Sequence, residues 1–251
     1  MNNSIHLVHY SVFEPKLNSE QIIGITSLMH DYNFPNNPNQ SINIPIIARE
    51  SDFENLETPC KKVIKMSKTN YIDNFFKDGS IQLGSFKYYQ KFDNPEIGDK
   101  TEGWFVLVGE NENQTIISVV SGGFNNYMLC CFDGDPDQNI INRFEYDDYF
   151  EINDLDGFTK AISNTLNATN YKRSKCFYAL SKIMVGKVNP NFNPNIISAD
   201  LIHLINNSKY FLKTSNFNHQ VEYRFIWTIP SDIDDKKIIK CPEAIKFCKR
   251  K

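Results

Sequence analysis

The chain has 251 residues, 41% hydrophobic and 23% charged, which is globular composition and enough for one large domain or a domain with an extension. A net charge of −3 excludes a broad basic field, so any nucleic-acid contact has to be local. No apolar run approaches the roughly 20 residues needed to cross a bilayer, and the start "MNNSIHLVHYSVFEPK" has no long apolar segment of the secretory type, so the expectation is a cytoplasmic protein without a membrane contact.

Residues 1–58 read as an N-terminal extension. "IHLVHYSVF" alternates like a strand. "NSEQIIGITSLMHDYN" reads as a helix with Asn18 or Ser19 at its N-cap and Ile22, Ile25, Leu28 and Met29 on one stripe. "FPNNPNQSINIP" reads as a loop. The main body, residues 59–251, opens with a strand in "KKVIKMS", a short helix in "TNYIDNFFKDG" ended by Gly79, and a strand in "SIQLGSF". Strands follow in "WFVLVGE", "QTIISVVSGG", "NYMLCCF" and "YDDYFEIND", then a helix in "LDGFTKAISNTLN". "KCFYALSKIMVGKV" fits strand or helix. "ISADLIHLINNSKYFLK" reads as a helix, "HQVEYRFIWTIP" as a long strand, and "DKKIIKCPEAIKFCKRK" as a strand and short helix. Many strands with a few helices between them predict an α+β domain with a split, mainly antiparallel sheet.

The strand at 219–229 raises the functional question. Period two puts Val221, Tyr223, Phe225 and Trp227 on one apolar face and Gln220, Glu222 and Arg224 on the other. Either Glu222 and Arg224 are loosely paired at a sheet surface, or this polar face lines a cleft. Six cysteines (Cys60, Cys130, Cys131, Cys176, Cys241, Cys248) form no CxxC pair and have no histidine at zinc-finger spacing, so reduced structural thiols are expected. Asp133, Asp135 and Asp137 alternate as in a calcium loop, but Phe144 stands where the twelfth-position Glu belongs.

The stretches "SKTNYIDNFFKDGSIQLGSFKYYQKFDNPEIGDKTEG", "CFDGDPDQ", "YDDYFEINDLDGFTKAI" and "HQVEYRFIW" resemble a set of uncharacterised bacterial proteins that close on an ExEyRf-type strand. That layout in turn resembles the ADP-ribosyltransferase fold, in which strand, Gly-ended helix and strand come first and a Gln-x-Glu or Glu-x-Glu strand comes last. The resemblance implies transfer of ADP-ribose from NAD to a macromolecular acceptor, nucleic acid or protein. It also implies a bacterial toxin or phage-defence effector, with an antitoxin or other restraining protein as a partner. Members of the fold place an Arg or His on the first strand, where this chain offers Lys65 and Lys68. A Ser-Thr-Ser motif is represented only by Ser118 and Ser121.

The implied roles follow residue by residue. Glu222 is the catalytic carboxylate that stabilises the positive charge developing on the ribose, and Gln220, two residues before it, positions the acceptor. Lys65 and Lys68 meet the phosphates as point charges. Tyr88 or Tyr89 stacks on a ring of NAD, and Tyr71 stands near the site. The plainer alternatives stay open: an aromatic core for the tyrosines, a solvated strand edge for Lys61, Lys62, Lys65 and Lys68, and a turn acid for Glu102. Two further readings of the whole chain are a non-catalytic binding or regulatory module and, with less support, a nuclease. A cleft that holds Glu222 together with Lys65 or Lys68 and a tyrosine separates the enzyme from the module.

Overall fold

A computed structural model of the chain describes residues 5–33, 48–49, 60–94, 96–179, 182–187, 210–231 and 233–251. Among these, mostly antiparallel strands and a few short helices make a mixed α+β fold. The chain starts with β1 (Ile5–Phe13), α1 (Ser19–Asn33) and the short β2 (Ala48–Arg49). Asn18 caps α1: its Oδ1 accepts the Gln21 N–H at 2.9 Å while Gln21 Oε1 accepts the Asn18 N–H at 3.0 Å. The loop expected at 34–45 lies outside the described residues, as does most of the helix expected at 197–213.

Next come β3 (Val63–Ser67), α2 (Thr69–Asp78), β4 (Ser80–Ser85) and α3 (Phe86–Lys91). Helix α2 buries Ile72 and Phe75 on one side. Its first turn is capped from a distance, since Asp147 Oδ1 accepts the Thr69 N–H at 2.6 Å and the Thr69 hydroxyl at 2.9 Å. Gly79 ends it in the left-handed region, φ 76°, and a Cβ there would stand 2.2 Å from the Cys241 backbone carbon. Both conformation and space demand glycine. Strand β4 stops at Ser85, whose Oγ accepts the Tyr88 N–H at 3.1 Å, so the aromatic run after it turns into α3.

The remaining elements are β5 (Trp104–Glu110), β6 (Thr115–Gly122), β7 (Asn126–Phe132), α4 (Gln138–Arg143), β8 (Asp148–Ile152) and α5 (Leu155–Leu166). After them run β9 (Asn170–Lys175), β10 (Phe177–Ala179), β11 (Ile183–Lys187), β12 (Leu212–Thr214), a 3-10 turn at Ser215–Gln220, and β13 (Glu222–Thr228). The chain closes with β14 (Lys236–Lys240), α6 (Pro242–Ile245) and β15 (Cys248–Arg250).

Two sheets carry most strands. The first runs β1-β6-β5-β11-β2, with β1, from the stretch read as an extension, paired to β6 from Ile5↔Gly122 to Phe13↔Thr115. Its core is Ile22 of α1 with Val106, Val108, Ile117, Val119 and Ile183. Every residue of β6 is buried, as expected for a strand covered on both faces.

The second sheet is forked at β7. One edge of β7 pairs along its whole length with β13, from Thr228↔Asn126 to Glu222↔Phe132. Its other edge pairs with β4 near its start (Ser85↔Tyr127, Gly84↔Met128) and with β3 at its end (Ile64↔Phe132). Lys65 reaches into the gap between these branches, where its Nζ donates to the Cys130 carbonyl at 3.1 Å. On one face of this sheet lies the main core, in which Tyr223, Phe225 and Trp227 pack with Phe75 of α2, Phe158 and Ile162 of α5, and Ala244 of α6.

The expected strand at 219–229 is corrected at its beginning. Residues up to Gln220 form the 3-10 turn, and Val221 sits at φ 37°, left-handed and 41% exposed rather than in the core. From Glu222 onward the alternation holds: Tyr223, Phe225 and Trp227 are buried on one face, and Glu222 and Arg224 lie on the other. No helix among the described residues is long and apolar enough to cross a membrane.

Candidate functional site

The polar face of β13 is not at the surface. Glu222 is 6% exposed and Arg224 1%, so these charges must be matched inside the protein. Arg224 Nε donates to Glu222 Oε1 at 2.6 Å, and its Nη1 and Nη2 form a fork on Glu102 Oε1 and Oε2, both at 2.8 Å. Nη1 also donates to the Tyr210 carbonyl at 2.7 Å. Lys213 Nζ, from β12, donates to Glu222 Oε2 at 2.7 Å and to Gln220 Oε1 at 2.6 Å. Two carboxylates thus face two cations, and the cluster is neutral.

The backbone sets this convergence. β10 pairs in parallel with β12 through Tyr178↔Lys213, and the Tyr178 hydroxyl accepts the Glu222 N–H at 2.8 Å. The left-handed turn at Val221 lets Gln220, which leaves from the 3-10 turn, and Glu222, which leaves from the strand, meet the same ammonium. A β-branched residue in that conformation is strained by roughly 1–3 kcal/mol, which the surrounding hydrogen bonds have to offset.

Burial works to raise the Glu222 pKa, but the attraction of Arg224 and Lys213 overrides it and holds the carboxyl well below the usual range. Burial likewise works against the Lys213 charge, and Glu222 more than compensates. Glu222 is therefore an anion at any physiological pH. That makes it a weak general base but a fixed negative charge of the kind that stabilises a developing cation. A carboxylate offers about four acceptor positions. Lys213 and Arg224 take two of them.

These residues line a cleft at the fork, with a cavity volume of about 70 Å3, together with Lys65, Tyr89, Tyr146 and Glu96. That volume takes several waters or one ring-sized group. Of the residues singled out from the sequence, Lys65, Tyr89, Gln220 and Glu222 meet here. Lys68 and Tyr71 do not: Lys68 is exposed at the start of α2, and Tyr71 is 60% exposed on it. Tyr88 also lies outside the lining. It packs edge-on against Tyr89 and Phe92 and accepts a hydrogen bond from Gln82 Nε2 at 3.3 Å. Successive residues on a helix point about 100° apart, so α3 can send only one of the two tyrosines into the cleft.

Gln220 is more tightly held than an acceptor-positioning role suggests. Its Oε1 is bound to Lys213, and its Nε2 donates to the Glu96 carbonyl at 2.8 Å. Ser118 and Ser121 are buried in β6, in the other sheet. The aspartates of "DGDPDQ" are engaged separately: Asp133 by Lys175 at 2.5 Å, Asp135 by Lys62 at 2.8 Å, and Asp137 as the N-cap of α4. Among the described residues no group of three or more His, Cys, Asp or Glu side chains is arranged to hold a metal. All six cysteines are free thiols.

Sequence reasoning missed Lys213 and undervalued Glu102 and Arg224. Lys213 carried one weak signal, a lysine directly after the apolar run "YFL". Set against known proteins, the chain matches no family model, no curated protein and no solved structure.

Proposed function

We propose that this chain is an NAD-dependent ADP-ribosyltransferase acting on a macromolecule, nucleic acid or protein, on a scaffold of the ADP-ribosyltransferase type. In this reading it is a cytoplasmic bacterial toxin or phage-defence effector restrained by a partner protein. The observation that carries the reading is the fork in the second sheet, which puts Glu222 in one cleft with Lys65 and Tyr89. Glu222, fixed and ionised, faces the ribose as the nicotinamide bond breaks and the sugar gains positive charge. Tyr89 covers a ring, and Lys65, whose Nζ is bonded to a backbone carbonyl rather than an acid, meets phosphate oxygens. NAD is the substrate, and the atoms balance as NAD and an acceptor hydroxyl or amine giving ADP-ribosylated acceptor, nicotinamide and a proton.

A second reading, a non-catalytic binding or regulatory module, is favoured by a specific observation. Lys213 and Arg224 neutralise Glu222, and both ends of the Gln220 amide are occupied. Incubation of the purified protein with labelled NAD and bacterial lysate separates the two. The enzyme reading expects label on macromolecules, and about tenfold less transfer at low NAD for Lys65→Ala, from one lost charge-assisted contact. No label transferred and no NAD consumed would leave the module.

A further inference from the structure

Residues 96–103, between α3 and β5, border the cleft through Glu96, Ile97 and Glu102. The far end is pinned: Asp99 accepts from Lys182 Nζ at 2.7 Å, the Asp99 N–H donates to the Tyr89 carbonyl, and Gln90 Nε2 donates to the Glu102 carbonyl. The near half is only a turn, in which the Ile97 and Gly98 N–H groups donate to the Asn94 carbonyl and Asn94 Oδ1 accepts the Glu96 N–H. From this turn Glu96 reaches between two basic groups on different elements. Its Oε1 accepts from Arg143 Nη2, in the last turn of α4, at 2.8 Å, and its Oε2 meets His219 Nε2, in the 3-10 turn, at 2.6 Å. Glu96 and Ile97 both line the cleft.

A guanidinium and an imidazole that converge on one carboxylate are also placed to converge on one phosphate, because the fork geometry that suits one suits the other. The cavity admits one ring-sized group, so the rest of a dinucleotide must extend beyond it, past lining residues such as the part-exposed Glu96. We propose that Arg143 and His219 form the pyrophosphate subsite of this cleft, and that the Glu96 carboxylate holds that subsite until the ligand displaces it. This rests on the dinucleotide reading above.

The test is calorimetric titration of the full chain with inorganic pyrophosphate. Glu96→Gln keeps the side-chain shape and removes the competing anion, so binding tightens about two- to fivefold, the worth of a part-exposed ion pair. Arg143→Gln removes a ligand donor, so binding weakens at least about tenfold. The opposite signs are the point. If Arg143 served only to hold the turn down, both variants would free the turn and shift affinity in the same direction. A same-direction shift, or no pyrophosphate binding by either wild type or Glu96→Gln, overturns the proposal, with melting curves confirming that both variants fold. Pyrophosphate carries no nicotinamide, so a failure here leaves NAD turnover standing, and a failure of NAD turnover leaves this result standing.

Discussion

Among the described residues the protein buries two ion clusters, and their difference suggests a different use for each. Asp99 and Lys182 meet at 2.7 Å with side chains 2% and 1% exposed, and Lys182 also donates to the Thr101 carbonyl at 2.8 Å. Neither residue lines the cleft. Their pair ties the stretch before β5 to the residue before β11, a joint between loop and sheet. The second cluster, Glu102, Arg224, Glu222 and Lys213, is as deeply buried, yet all four line the cleft at the fork. Buried ion pairs are weak contributors to stability compared with apolar residues of the same volume. The first is explained by its joint. The second is the preorganised charge array that the proposed function uses.

The largest expected effects come from stranding charges. Arg224→Met leaves Glu222 and Glu102 buried with Lys213 alone, and should lower unfolding free energy by about 3–5 kcal/mol in urea titration. Lys182→Met strands one carboxylate, which Thr101 still hydrogen-bonds at 2.7 Å, and should cost less. Equal losses would erase the distinction drawn here. Adding Asp99→Asn to Lys182→Met should recover most of that loss, because no charge is then left unpaired, and a double mutant that loses the sum of the single effects would contradict a closed pair.

Acid should weaken both clusters next, and one substitution picks out the share of Asp99. For Asp99, burial works to raise the pKa, but Lys182 and Lys213 override it and bring the carboxyl down to about 2 from 3.8. A depressed folded-state pKa gives stability that is complete above the unfolded value and lost as pH falls through the folded one. Asp99 therefore contributes about 2 kcal/mol that disappears between about pH 4 and pH 2, and Glu222, whose carboxyl is also held down, gives up its share across the same interval and below it. Melting temperature against pH should flatten over that interval in Asp99→Asn. An unchanged slope would place the acid sensitivity elsewhere.

The smallest effect sharpens the geometry of the cleft cluster. Val221→Gly relieves the left-handed strain at a residue 41% exposed and should raise stability by roughly 1 kcal/mol in urea titration. A clear loss would mean that the turn is not strained.

Much of β13 was legible. Tyr223, Phe225 and Trp227 announce a core face, and Glu222 and Arg224 stand opposite them. Its start was not, because a valine in the left-handed region violates the preference that sequence reading relies on. Strand β9, "NYKRSK", has no apolar alternation and is a strand because β13 pairs with it from Tyr223↔Lys175 to Thr228↔Asn170. Helix α3, six residues long, is shorter than the window in which a helical period can be seen, so Tyr88 and Tyr89 looked equivalent. Lys213 finds Glu222 through a parallel pairing between β10 and β12, and Glu102, in a turn as expected, finds Arg224 across 122 positions. Local pattern holds no record of such partners.

The central claim is that Glu222 is the working charge of the cleft. The direct measurement is nicotinamide release from NAD by wild type and Glu222→Gln, expressed per folded molecule, since the substitution leaves Lys213 and Arg224 short of an anion and lowers stability as well. The account predicts release by the wild type and a loss of about 100- to 1000-fold in the folded variant. Equal release per folded molecule would contradict it.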